Sequence, residues 1–194
     1  MKLLSEGGLP VKRYEGLSAI VTIAIGLSTN SAYATAFFYN GFSDTTGLSF
    51  VGSTATANTG DGTVLRLTPA DFSQAGAAYS TSAVTLGPSD TFSTQFQFRF
   101  TNPGGTVNSP ADGITFVIAA SPSGLGVGGG SMGYGTVPNS VAIEFNTFDN
   151  GPGDGDSSNH VAVDTNGIIS DLALSNLYNI QTCDFNRPRL HVEW

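Results

Sequence analysis

The chain has 194 residues, of which 40% are hydrophobic, and this length allows one sizeable core but not two ordinary domains with a linker. Its net charge of −8 excludes nucleic acid as a partner, since phosphate binding needs a basic surface. Only 11% of the residues are charged and 25 are glycine, a composition that favours short strands and turns, so we expect an all-β protein.

The first predicted element is a signal peptide over residues 1–34. Lys12 and Arg13 precede an uncharged stretch at 16–27, and Ala-Tyr-Ala at 32–34 has the small-x-small form of a cleavage site. A short membrane anchor is the alternative, but this apolar stretch cannot cross a roughly 30 Å hydrocarbon core as a helix. We therefore expect cleavage after residue 34, a secreted product and no membrane span in the mature domain, residues 35–194.

The clearest strand pattern lies in residues 91–100, where phenylalanine recurs at even positions and polar residues occupy odd ones. Such a period of two indicates a half-buried antiparallel strand. Many short strands without helical periodicity predict a sandwich or jelly roll built from two packed sheets. The other strand-like runs are residues 37–42, 48–51, 63–67, 114–119, 141–148 and 160–164.

A glycine-rich stretch at residues 124–135 resembles a nucleotide loop only superficially. It lacks the Gly-Lys-Ser/Thr ending, and no helical pattern follows it. We interpret it as a long surface loop in which glycine permits close backbone approach to a ligand. A purely flexible connector is the alternative.

The most informative segment is residues 141–150, which read Val-Ala-Ile-Glu-Phe-Asn-Thr-Phe-Asp-Asn. Side chains alternate along a strand, so this pattern predicts one shared face for Glu144, Asn146, Phe148 and Asn150. That face would present a carboxylate, two amides and an aromatic ring.

The glycine-rich turn after Asn150 is predicted to fold Asp154 and Asp156 back toward that face. The strand that starts at His160 would place an imidazole beside Glu144. Oxygen ligands suit calcium, while a carboxylate with an imidazole suits a transition ion such as manganese. An ordinary solvated turn is the alternative, because Asp-Gly pairs are common in hairpins.

Residues 141–150, with Asp154, His160 and the Val-Ala-Val-Asp-Thr-Asn-Gly run at 161–167, resemble the metal-binding signature of legume-type (L-type) lectins. The resemblance extends over residues 37–171 in the family's order. It implies a concanavalin-like jelly-roll sandwich of antiparallel sheets, in a secreted, bacterial-like form, that binds carbohydrate without catalysis. Further matching segments are residues 65–68, 92–96, 111–116 and 129–133.

For the metals, the resemblance implies that Glu144 and His160 hold a manganese-type ion, with Ser170 acting through a water. It implies a calcium ion on the backbone carbonyl of Phe148 and the side chain of Asn150. The family's second aspartate is matched by Asp154 on spacing, with Asp156 in reserve.

For the sugar, the resemblance implies that Asp112 accepts hydrogen bonds from two hydroxyls and that the peptide bond before it is cis. It also implies stacking of a sugar on the ring of Phe148 and donation by Asn150 to a hydroxyl. Gly130, or with less support Gly129, matches a backbone donor in the glycine loop. In the family, calcium supports this arrangement, so metal loss abolishes sugar binding.

One departure from the family concerns Asn146, which stands where the family has an aspartate that bridges both metals. The loss of this negative charge is expected to weaken both sites, and the manganese-type site more. Calcium could still bind an amide oxygen, so Asn146 stays among the candidate metal ligands.

Two other functions compete with a working lectin. Glycoside hydrolases of the same fold carry a strand motif that resembles Glu-x-Asp-x-x-Glu. The corresponding segment of this chain reads Glu144-x-Asn146-x-x-Asp149, so only the first acid is kept. An odd separation also places Asp149 on the opposite strand face from Glu144, away from the pair that hydrolysis needs. The second alternative is a structural or adhesion module that has lost sugar affinity through Asn146.

The resemblance implies that the domain is incomplete after Trp194, because lectins of this family continue with further strands. Cys183 is the only cysteine, so in an exported chain it is either free or paired with a cysteine outside this sequence, and the resemblance implies the second. Glycans or glycoconjugates are the expected partners, and a homo-oligomer is compatible with the family. A few hydrogen bonds and one stacked ring predict weak monovalent affinity, so function would depend on multivalency.

Overall fold

The computed structural model of the protein describes residues 20–26, 37–60, 62–101, 111–121, 124–176, 180 and 192–193, the first and last of these ranges as backbone only. Its regular structure is almost entirely β, as predicted. The strands are β1 (Ile20–Gly26), β2 (Phe37–Asn40), β3 (Leu48–Gly52), β4 (Ala55–Thr59), β5 (Gly62–Arg66), β6 (Gly76–Ser80), β7 (Thr91–Gln95), β8 (Gly113–Ala119), β9 (Ser140–Asn146), β10 (His160–Thr165), β11 (Ile168–Ser175) and β12 (Val192–Glu193), and a 3-10 helix spans Gly129–Ser131.

The strands form antiparallel sheets, which confirms the predicted class of fold. One four-stranded sheet has the order β11-β10-β9-β8, and a second has the order β12-β7-β1-β2. Strands β3 and β6 pair with each other, and β4 pairs with β5. Every described pairing is antiparallel, as expected for a jelly-roll sandwich.

The core lies between β9 and the segment that follows β7. Phe145 is 1% exposed, and its ring contacts Phe96 at a centroid distance of 5.9 Å and Phe98 at 4.8 Å. Ile143 lies two residues earlier on the same strand face and joins this cluster. Ile143 and Phe145 therefore face this cluster, which leaves Glu144 and Asn146 on the opposite face of the sheet, where the loops bury them.

The observed strands differ from the predicted ones at two positions that matter for function. Strand β7 ends at Gln95 rather than at residue 100, because no described strand pairs with residues 96–100. Strand β9 ends at Asn146, so Phe148 and Asn150 lie in the following loop rather than on a continued strand face. Five of the described strands were not predicted as strands, namely β1, β4, β6, β11 and β12, and pairing with neighbouring strands defines them.

Strand β1 lies within the predicted signal peptide. It occupies the position between β2 and β7, and pairs with both. The predicted cleavage site, Cys183 and Trp194 lie outside the described residues. In the described part of the chain, no helix has the length and apolar character needed to cross a membrane.

We predict that Phe145→Ala destabilises the fold by about 3 to 5 kcal/mol, because it removes a buried aromatic ring and leaves a cavity. Chemical denaturation followed by circular dichroism would measure the loss. Phe38→Ala is the matched control, since Phe38 is 63% exposed and should change the free energy of unfolding little. Equal effects of the two substitutions would contradict this assignment of the core.

Candidate functional site

The candidate site lies on the outer face of the sheet that contains β9. Glu144 of β9 and His160 and Asp164 of β10 are fully buried there, at 0% exposure. In the antiparallel register, His160 is opposite Asn146 and Ala162 is opposite Glu144. Glu144 and His160 are therefore diagonal neighbours on one face, as the sequence predicted.

The imidazole of His160 is held from both sides. Its Nε2 lies 2.6 Å from Glu144 Oε1, and its Nδ1 lies 2.8 Å from the carbonyl oxygen of Ser157. A carbonyl oxygen can only accept, so Nδ1 carries a hydrogen and donates to Ser157. In the neutral ring, this tautomer leaves the lone pair of Nε2 directed at the Glu144 carboxyl group.

Two further carboxylates surround Glu144. Burial raises the pKa of Glu144 to about 10, and the negative charges of Asp164 and Asp171 add to the effect. Three buried carboxylate oxygens have no hydrogen-bond partner in the described structure, namely Glu144 Oε2, Asp164 Oδ2 and Asp171 Oδ1. This polar group therefore needs either a proton on Glu144, shared with Asp164 or Asp171, or a bound cation.

A second polar group forms where the chain leaves β9. Asn146 Nδ2 donates to Asp154 Oδ1 at 2.8 Å, and the backbone N–H of Phe148 donates to Asn146 Oδ1 at 2.8 Å. The backbone N–H of Asn150 donates to Asp154 Oδ2, also at 2.8 Å. The structure brings Asp154 into this group with 5% exposure, whereas Asp156 is exposed to solvent.

Asp112 lies beside the same loop. The Ala111–Asp112 peptide bond is cis, as the family resemblance implied. The Asp112 carbonyl oxygen accepts hydrogen bonds from the backbone N–H and the hydroxyl of Thr147, at 2.8 and 3.1 Å. Its carboxylate accepts a 3.2 Å hydrogen bond from Asn150 Nδ2, and this contact joins β8 to the loop after β9.

The glycine loop completes this surface. Backbone bonds from Gly126 to Gly133 and between Val127 and Gly135 fix the loop, so it is not a purely flexible connector. A β-carbon on Gly130 would lie 2.8 Å from Asn150 Cγ, so only glycine permits this approach without displacing the amide. Asp112, Gly130 and Asn150 are thus brought to one place, and Phe148 lies in the same loop two residues before Asn150.

Ser170, Asp164 and Asp171 lie where strand β10 turns into strand β11. Asp164 Oδ1 accepts hydrogen bonds from the backbone N–H groups of Ser170, at 2.7 Å, and of Asp171, at 3.1 Å. Ser170 itself is exposed. Sequence reasoning missed Asp171, whose only signal was an acidic residue in an otherwise apolar strand.

An antiparallel jelly roll with polar loops over the outer face of one sheet is the architecture of a lectin-type β-sandwich. Residues 34–189 match the family model of the legume lectin domain, and the chain belongs to the legume lectin family.

The chain is similar both to a receptor kinase that contains a lectin domain and to lectins. The L-type lectin-domain containing receptor kinase VIII.1 of Arabidopsis thaliana is 36% identical over 60% of this chain and 15% of its own length. The lectin of Pisum sativum is 31% identical, and that of Lens culinaris subsp. tomentosus is 32% identical. Each of these alignments covers 79% of this chain and 58% of the relative, so the chain spans less than two thirds of the relatives' length.

The residues present fit the metals of this family. Phe148, Asn150 and Asp154 offer carbonyl, amide and carboxylate oxygens, which are the ligands that calcium prefers. Glu144, His160 and Asp171 offer two carboxylates and one imidazole, whose ligand atoms lie within 4.8 Å of one another. This mixed set suits a divalent transition ion.

We predict that Glu144→Gln raises the stability of the chelator-treated protein at neutral pH by about 1 to 3 kcal/mol, because a neutral amide removes the cost of protonating a buried carboxyl group whose pKa is raised. It should also abolish any rise in melting temperature that manganese produces. Differential scanning calorimetry with and without manganese measures both effects. An unchanged response to manganese in the variant would show that Glu144 is not a ligand.

Proposed function

We propose that this chain binds glycans without catalysis, in a calcium-dependent manner, through Asp112, Gly130, Phe148 and Asn150. The observation that carries the proposal is the position of Asn150. Its backbone contacts Asp154, its amide nitrogen contacts Asp112, and its side chain packs on Gly130. One residue thus joins the candidate calcium ligands to the candidate sugar ligands.

The sugar-facing atoms have the chemistry that hydroxyl groups require. The Asp112 carboxylate has lone pairs to accept from two hydroxyls, beyond the bond it receives from Asn150. Gly130 lies in the first turn of a short helix, where backbone N–H groups lack partners within the helix. Phe148 is half-buried and offers an aromatic face for an apolar patch of a sugar ring.

Calcium would hold the sugar-binding residues in place without itself reacting. Bound by Asp154, the carbonyl of Phe148 and the side chain of Asn150, it would fix the loop after β9 against β8. The amide nitrogen of Asn150 is already directed to Asp112, so its Oδ1 remains for the ion. Removal of calcium would free this loop and disperse the sugar-binding atoms.

The geometry opposes glycoside hydrolysis. A hydrolase needs two carboxyl groups that flank one bond, about 5 to 9.5 Å apart. Glu144 is fully buried against His160, whereas Asp149 is exposed and accepts a hydrogen bond from the backbone N–H of Gly151. Glu144 therefore has no access to a glycosidic bond that Asp149 could also reach.

We expect Asp112→Asn to lower glycan affinity at least about tenfold, since the amide accepts with one oxygen only and loses the charge. A glycan array followed by calorimetric titration of the strongest sugar measures the effect, with and without calcium chelator. Asp149→Asn is the control, because this carboxylate is exposed and, within the described part of the chain, bonds with Gly151 of its own turn.

The result also separates the lectin from a structural module of the same fold. A folded wild-type chain that binds no glycan in saturating calcium would support the structural module. Binding that persists in chelator would refute calcium dependence while leaving carbohydrate binding intact.

We propose further that the chain is exported through the signal peptide at residues 1–34. Expression of the full chain in a secreting host, followed by amino-terminal sequencing, should give a product that begins at Thr35. Replacing Ala34 by a bulky residue should block this cleavage, because the signal needs a small side chain there. A secreted product that retains residues 20–26 would contradict the proposal and keep β1 in the sheet.

A further inference from the structure

Asp171 is turned inward by an irregularity in the β10–β11 pair. The register shifts between Val163 and Thr165, and Asp171 has a left-handed φ of 48°, which is uncommon for a residue other than glycine. The bonds from the backbone N–H groups of Ser170 and Asp171 to Asp164 hold this conformation. As a result the Asp171 side chain is only 11% exposed, whereas its neighbour Leu172 is 63% exposed.

The inward carboxylate completes a three-sided pocket with Glu144 and His160. Asp171 Oδ1 lies 3.6 Å from His160 Nε2 and has no hydrogen-bond partner in the described structure. Glu144 is 0% exposed, and its Oε2 also lacks a partner there. The carboxyl groups of Glu144 and Asp171 thus lie together beside one imidazole nitrogen, and they need either a shared proton or a bound cation between them.

A loop covers this pocket. A β-carbon on Gly155 would lie 3.2 Å from His160 Cε1 and 3.3 Å from Asp171 Oδ2. Gly155 also has a φ of 61°, where a side chain is strained. The backbone at Gly155 therefore passes close to both His160 and Asp171, and a larger residue there would also meet Leu174.

Asn146 does not contribute charge to the pocket. Its amide nitrogen donates to Asp154, and its amide oxygen accepts from the backbone N–H of Phe148. Both ends of the amide are thus engaged in the candidate calcium group. A metal bound by Glu144 and His160 must take its second negative charge from another residue.

We propose that Asp171 supplies that charge, as the third protein ligand of a transition-metal site with Glu144 and His160. The inference rests on the proposed metal-dependent function, but it makes a separate claim. Asn146 and Asp154 bond with each other and with the loop that holds Phe148 and Asn150, whereas the backbone of Asp171 bonds with Asp164. Asp171 is therefore expected to act on the transition ion rather than directly on calcium. Asp164 is a positioning residue, since it holds the backbone that aims Asp171 inward.

The test uses the full chain, freed of metal by chelation and titrated with cobalt(II), whose visible absorption reports its ligands. The wild type should bind one cobalt ion at this site. Asp171→Asn should lower cobalt affinity at least about tenfold and change the absorption spectrum. Asparagine also tolerates a left-handed φ, so this variant keeps the backbone conformation. Asp149→Asn should match the wild type in both measurements.

Calcium titration of the same variants tests which ion Asp171 serves. Asp171→Asn should lower cobalt affinity more than calcium affinity, and an equal or larger loss of calcium affinity would overturn the assignment of Asp171 to the transition-metal site. Unchanged cobalt affinity and spectrum in Asp171→Asn would overturn its role as a ligand. A wild-type chain that binds calcium and glycan but no cobalt would refute this inference and leave the proposed function standing. Cobalt binding without any glycan binding would instead refute only the proposed function.

Discussion

The alternation of side chains along β9 is the constraint on which the rest of the structure depends. A strand directs successive residues to opposite faces. Phe145 and Ile143 therefore enter the core, while Glu144 and Asn146 face the outer loops. A slip of one residue would bury the carboxylate among phenylalanines and expose the core residues. The hydrophobic packing of the sandwich thus fixes the geometry of the polar site as well.

The polar side of β9 is costly to bury. Glu144, His160 and Asp164 are removed from solvent, and Glu144 takes on a pKa of about 10 because ionisation beside other carboxylates is unfavourable. A core of this size would be more stable with apolar residues at such positions. Their presence is understandable if a divalent ion compensates the negative charge, which agrees with the membership of the chain in the legume lectin family.

Asn146 and Asn150 both bond with Asp154 and so connect it to two different parts of the structure. Asn146 ties Asp154 to the end of β9, and Asn150 ties Asp154 to Asp112. Both links are made by neutral amides, so the calcium group carries one carboxylate rather than two. The transition-metal site proposed beside His160 would take its second carboxylate from Asp171, whose Oδ1 lies 3.6 Å from His160 Nε2.

The sequence alone determined the class of fold, because the period-two pattern and the frequent turn residues allow little besides an antiparallel sandwich. It also determined the pairing of Glu144 with His160, since strand alternation and the family motif agree there. Tertiary structure alone decided which distant loops meet. Asp112 and Gly130 reach Asn150 through the folding of separate segments, and Asp154 prevails over Asp156 because only its carboxylate turns inward. Asp171 could not be foreseen, because its direction depends on a register shift and a left-handed φ that local sequence does not encode.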